Sequence, residues 1–352
     1  MKRRMNGSIR FIAIVAGLGA FLQAKAGAQE PTAEAQSLTS ITGEQGAHPM
    51  PLPARAAAKL QPEVSPTSGT PALIYHGGPV MTSATSYAIF WAPPTLQNGQ
   101  AASLPASYQN IQTALLSTYP GHSIDNNNTQ YYMTSGFGFF RFTNFVQNSG
   151  SFGGSYVDTA PYPGSGCSDP VTPGNCLSDA QIQAEVQKVM ALKGWTGGLN
   201  HIFFVYTASG EGSCAGFGCA YTDYCAYHGY FTSGSTTVLY GNEPYAAAGF
   251  CQAGSSPNGD PAGDAAASIT SHELTESITD PELNAWYSAG GDEIGDLCAW
   301  NYGVNTWDSG KANEYWPISF SNIILFGHFP ISFFELQQEY DNHTASCVQV
   351  GP

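Results

Sequence analysis

Positive charge is scarce in this chain: 11 Lys and Arg stand against 26 Asp and Glu over 352 residues. Five of the eleven bases fall in the first 28 residues, where there is no acid, so the remainder carries a formal charge of −20. A chain of that sign repels phosphate backbones and has no basic stripe to reverse it, which excludes nucleic acid as a partner. Long apolar runs are missing too. Phe11–Leu22 is twelve residues, short of the roughly twenty that cross a bilayer, and no later run is longer, so no transmembrane segment is expected. No GxSxG elbow, P-loop or dinucleotide fingerprint is present, which removes the nucleophile-elbow hydrolases, the P-loop NTPases and the nicotinamide enzymes. No cysteine precedes Cys167, so inhibition by an N-terminal thiol is excluded and any such inhibition has to be steric or carboxylate-based.

What is present begins with an export signal. Lys2, Arg3, Arg4 and Arg10 precede the apolar run, and Ala26-Gly27-Ala28 supplies the small residues of a cleavage site. Residues 1–28 therefore read as a signal peptide, and the destination is secreted or extracellular, with periplasm and cell envelope included. Residues 29–70 are rich in Ala, Pro, Ser, Thr and Gln and poor in aromatics. Such a stretch buries too little apolar surface to offset its ordering entropy and reads as a disordered linker or propeptide. Residues 71–352 read as a single globular domain. All eight cysteines lie in it, and an even count in an oxidising compartment favours disulfides. Cys167 with Cys176 and Cys298 with Cys347 are the expected pairs; for Cys214 and Cys219 a zinc-thiolate site is the competing reading.

Tyr87–Trp91 and His201–Tyr206 read as buried strands, and Ser107–Tyr119 as a helix with Ile111, Leu115 and Leu116 at core spacing. Ser178-Asp179-Ala180-Gln181 has capping-box form and opens a helix that runs to Gly194. The order of elements predicts an α+β fold, a mixed sheet with packed helices and disulfide-stapled loops.

The segment that carries chemistry is Ser271-His272-Glu273-Leu274-Thr275-Glu276, within a helix expected over Asp264–Ile278 that stops at Thr279-Asp280-Pro281. His272 and Glu276 stand one turn apart on a shared face, which lets both converge on one ion. HExxH helices bind zinc through two histidines and use the glutamate to activate water; here Glu276 takes the second histidine's place, a change that admits zinc and shifts preference toward harder ions. A third ligand has to come from Glu293 or Asp296, separated from Glu276 by sixteen and nineteen residues. That spacing resembles the placement of the third ligand, a glutamate, in gluzincin peptidases. In this reading Zn2+ or another divalent ion sits on His272, Glu276 and Glu293 or Asp296, Glu273 is the general base, and His228, Tyr287 or Tyr302 donates to the oxyanion.

Leu73-Ile74-Tyr75-His76-Gly77-Gly78-Pro79-Val80, Ile89-Phe90-Trp91, Cys225-Ala226-Tyr227-His228-Gly229, Pro257-Asn258-Gly259-Asp260, Thr279-Asp280-Pro281 and Asn284-Ala285-Trp286-Tyr287 together resemble the phosphate-induced, exordium-like family of secreted proteins. The resemblance implies an extracellular or cell-wall location and no agreed biochemical activity. Three functions follow as expectations. One is a secreted metal-dependent hydrolase, a zinc metallopeptidase-like protein acting on a peptide or a cell-wall or extracellular polymer. Another is a carbohydrate-binding protein that uses Tyr221, Tyr224 and Trp286. The third is a protein in which the metal is purely structural.

Overall fold

The computed structural model describes residues 46–53, 72–137, 140–247, 249–252, 255–303, 314–316 and 332–352. The chain divides into two units, Met1–Ile41 and Thr42–Pro352. The first, with the expected signal peptide 1–28, lies outside the described residues.

The core is a six-stranded mixed sheet made of β1 (Gly46–Pro51), β2 (Thr85–Trp91), β3 (Ser151–Asp158), β4 (His201–Thr207), β5 (Tyr224–Ser233) and β6 (Thr236–Glu243), in the order β1-β5-β6-β4-β2-β3. The four strands β6, β4, β2 and β3 run parallel, and β5 and β1 add antiparallel at one edge. Parallel strands are covered on both faces and read as unbroken apolar runs. His201-Ile-Phe-Phe-Val-Tyr-Thr207 does so, and every residue after His201 is buried.

Among the described residues four helices accompany the sheet: α1 (Ala106–Thr118), a single turn α2 (Ser123–Asn126), α3 (Asp179–Lys193) and α4 (Pro261–Thr279). The capping box expected at α3 is formed, with Gln181 accepting from the Ser178 amide, and Gly194 in left-handed conformation ends that helix. The two faces of the sheet can be told apart by side-chain alternation. Tyr227 on β5 and Tyr240 on β6 both donate to Asp179 at the start of α3. Their neighbours His228 and Gly241 therefore face the other way, toward α4. Tyr206 on β4 meets Thr270 of α4 and confirms that assignment. α1 packs along α4 on this same side.

α4 is buried around its whole circumference from Ala262 to Thr279, which amphipathic spacing does not anticipate. Small residues (Gly263, three consecutive alanines at 265–267, and several Ser and Thr) let the sheet on one side and the C-terminal segments on the other approach its backbone closely. The Asp260 carboxylate caps it by accepting from the Gly263 amide, and Pro261 occupies the first turn, where its missing N–H costs nothing.

One expectation needs correction. Residues 29–70 are not structureless throughout: Gly46–Pro51 forms β1 and pairs with Tyr224–Tyr230. A composition window averages this six-residue strand away, because its ordering comes from the edge it pairs with and not from its own apolar content. Cys214 and Cys219 form a disulfide with each other and not a thiolate metal site. The expected bridges Cys167–Cys176 and Cys298–Cys347 are present, and Cys225–Cys251 is a fourth. Among the described residues no helix is long and apolar enough to cross a membrane.

Glu211, in the turn after β4, is fully buried, with one carboxylate oxygen accepting from the Gln97 amide at 3.3 Å and the other unpartnered. Burial pushes its carboxyl up to about 7, against the Gln97 hydrogen bond. A carboxyl whose folded pKa is raised binds its proton more tightly in the folded state. Its favourable contribution is therefore complete below the unfolded value and is lost as pH rises through about 7. Glu211→Gln is expected to stabilise the chain by about 1–3 kcal/mol at pH ~8 and to have little effect near pH ~4, which denaturant titration at the two pH values measures.

Candidate metal centre

Two consecutive turns of α4 point His272, Glu273 and Glu276 into a closed space bounded by β5, β1 and the loop after Tyr287. His272 Nε2 lies 3.1 Å from Glu276 Oε1 and 4.0 Å from Asp296 Oδ1, and Glu276 Oε1 also accepts from the Asp296 amide at 3.0 Å. Both downstream acids named as alternatives arrive, on different sides. Asp296 joins His272, whereas Glu293 Oε2 lies 3.8 Å from His228 Nε2.

His228, expected only as an oxyanion donor, stands at the centre itself. Its Nδ1 is 3.2 Å from Glu273 Oε2 and 3.6 Å from Glu276 Oε2. Two donor sets thus share Glu276: His272, Glu276 and Asp296 on one side, and His228, Glu273 and Glu276 on the other. The other two oxyanion candidates lie elsewhere. Tyr287 stacks on the exposed His76 at 3.6 Å, and Tyr302 bonds Ser268 one turn before His272. The aromatic residues considered for carbohydrate are unsuited to it, because Tyr221, Tyr224 and Trp286 are all buried.

His48 was not foreseen at all. It is the direct cross-strand partner of His228. Side chains directly opposite in an antiparallel pair share a face, so both imidazoles point at α4. His48 Nε2 is 2.6 Å from Asp296 Oδ2, and Nδ1 is 3.4 Å from Glu293 Oε1. No motif spacing could have found it, because it is 180 residues from His228 and joins it only through strand pairing.

The centre holds three imidazoles and four carboxylates, and among the described residues no Lys or Arg pairs with it. His272, Glu273 and Glu276 have no solvent exposure, and His228 has 1 %. Unpartnered buried atoms cluster here: His228 Nε2, His272 Nε2, Glu273 Oε1, Glu276 Oε2, Glu293 Oε2 and Asp296 Oδ1 make no hydrogen bond. Buried polar atoms are almost always satisfied, so six orphans in one cluster, arranged as two donor sets that could hold a metal ion, set this place apart.

The electrostatics agree. Burial, then repulsion from Glu276, drives the Glu273 carboxyl well above its usual range, and Glu293 rises for the same two reasons. Glu276 goes the other way. Burial alone would raise it, but the neighbouring His272 and His228 imidazoles hold it well below the usual carboxylate value. Burial depresses the His228 imidazole, whereas at His272 the neighbouring Glu276 outweighs burial and raises it.

Supporting groups fix the first ring. Gln337 Nε2 lies 2.8 Å from His272 Nδ1 and donates to the Gly295 carbonyl at 3.0 Å, turning Nε2 toward Glu276 and Asp296. Gly295 is there because nothing larger fits. A Cβ at that position would lie 2.5 Å from His272 Nδ1 and 2.9 Å from Glu276 Oε1. The Cys298–Cys347 bridge anchors the same loop two residues beyond Asp296.

Comparison with known proteins gives one short match. Over 52 residues, 13 % of this chain, the sequence is 48 % identical to Protein EXORDIUM-like 5 of Arabidopsis thaliana, and the match covers 14 % of that protein. No family model matches the chain, and no solved structure does.

Gly295→Ala is expected to push His272 out of register with Glu276 while leaving the sheet intact. The expected cost is about 1–3 kcal/mol of stability, with cation affinity reduced at least ~10-fold, as for losses of groups that orient a ligand. Denaturant titration and calorimetric titration with zinc measure the two effects separately.

Proposed function

We propose that this chain is an exported, divalent-cation-dependent hydrolase of the zinc-metallopeptidase type, with its centre on the HExxE helix. The observation that carries the reading is the buried cluster of imidazoles and carboxylates with unpartnered atoms facing one another and no basic side chain to neutralise them. A mixed nitrogen and carboxylate donor set suits zinc, and the excess of carboxylate leaves room for a harder ion.

His272 Nε2, Glu276 and Asp296 would hold the ion, with Glu293 and His228 on its other side. A bound cation supplies Lewis acidity and an activated water at neutral pH. Its charge also favours the ionised form of Glu273, which burial otherwise opposes. Glu273 is then the proton acceptor. His228 positions it through Oε2 at 3.2 Å, and Oε1 remains free to take a proton. The N-terminal signal, the four disulfides and the likeness to an exordium-like protein support an extracellular or cell-envelope setting, with a peptide or an extracellular polymer as substrate.

A second reading, a structural metal clip without catalysis, is favoured by one observation: His272, Glu273 and Glu276 are wholly buried. Elemental analysis and an assay with unstructured polypeptide separate the two. About one ion per chain is expected, lost in His272→Ala and in Glu276→Ala. Glu273→Gln is expected to keep the ion and lower turnover at least ~100-fold. If chelation lowers the melting temperature and no polymer is ever cleaved, the clip is correct. An ion-free wild type after reconstitution refutes both.

A further inference from the structure

We infer that β1 occupies the substrate's place. The centre takes extended polypeptide by strand addition to β5, and His48 is the resident ligand that closes it. The inference rests on the hydrolase reading above and names the substrate form and the element that excludes it.

Among the described residues β1 is an edge strand, paired with β5 alone. It crosses the centre opposite α4, so that its His48 side chain reaches Asp296 and Glu293 while its backbone at Met50 faces Glu273. The backbone of β1 therefore runs beside the group proposed as the base, and its His48 side chain meets the two downstream acids. An extended chain lying in this register presents its peptide groups to Glu273, which is what hydrolysis of a polypeptide requires. His48 is also the most exposed member of the cluster, 23 % by side chain against at most 4 % for the others, so the approach from solvent runs along β1.

The sequence of β1 suits an occupant that is held without being cut. In Gly46-Ala47-His48-Pro49-Met50-Pro51 two of six residues are proline. Each removes one backbone donor that a full ladder would use, which weakens the pairing and is tolerated only at an edge. The His48–Pro49 and Met50–Pro51 linkages are tertiary amides, crowded by the ring and lacking the N–H that an ordinary scissile bond offers. With β1 displaced, β5 would expose a row of unpaired N–H and C=O groups beside the centre, a ready template for another strand. The inhibition is steric, one of the two means left open by the absence of an N-terminal cysteine, and an imidazole reinforces it.

The test uses full-length protein loaded with Co2+, whose visible absorption reports the number and type of donors. His48→Ala is expected to change the spectrum and to raise cleavage of a quenched-fluorescent mixture of unstructured decapeptides at least ~10-fold. The synthetic octapeptide Gly46–Pro53, added in trans to His48→Ala, is expected to restore the wild-type spectrum and to inhibit cleavage; the same octapeptide carrying His48→Ala is expected to do neither. His48→Gln, of similar size and polar, guards against an effect of misfolding and is expected to behave as His48→Ala with an unchanged melting temperature. A spectrum indifferent to both substitutions, or wild-type cleavage that neither substitution nor octapeptide alters, overturns the inference and leaves the hydrolase reading standing. Spectral changes as expected with no cleavage by any form overturn the hydrolase reading and the substrate assignment with it, and leave His48 as a ligand of a closed centre.

Discussion

Four carboxylates buried with no basic side chain among the described residues to pair with them are the constraint on which the rest of this structure depends. Removing an ionised carboxylate from water costs several kcal/mol even after relaxation, and here Glu273, Glu276, Glu293 and Asp296 face one another. The imidazoles of His48, His228 and His272 answer part of that charge. The unpartnered atoms that remain are what the proposed cation would satisfy.

Such a cluster stays together only if the elements that carry it cannot move apart. α4 is clamped between the sheet and the C-terminal segments along its whole length, and its small residues make that clamp tight. Gly295 lets the loop approach His272 within reach of Gln337, and the Cys298–Cys347 bridge holds the loop in place. β1 completes the enclosure from the sheet edge. The same contact that finishes the fold also covers the cluster of imidazoles and carboxylates, so exposing the cluster there means losing an edge strand.

Local signals made much of this visible beforehand. α4 announced itself over Asp264–Ile278 by its acidic first turn and its stop at Thr279-Asp280-Pro281, although it begins at Pro261, and the i, i+4 relation of His272 to Glu276 follows from helix geometry alone. The capping box at Ser178 and the apolar run of β4 were equally readable, because each depends on residues a few positions apart. Glu293 and Asp296 could be named as a pair but not ranked. The structure gives them different partners, Asp296 beside His272 and Glu293 beside His228, a distinction set by how one loop folds back.

By itself, the sequence determined the helix with its HExxE set, the α+β character and two of the four disulfides, since periodicity, capping and spacing are properties of neighbouring residues. Only the tertiary structure decided that α4 is buried on every side, that His228 turns inward and that His48 lies opposite it. Strand register brings residues 180 positions apart into contact and selects which alternate side chains face the helix, and no local pattern encodes that choice.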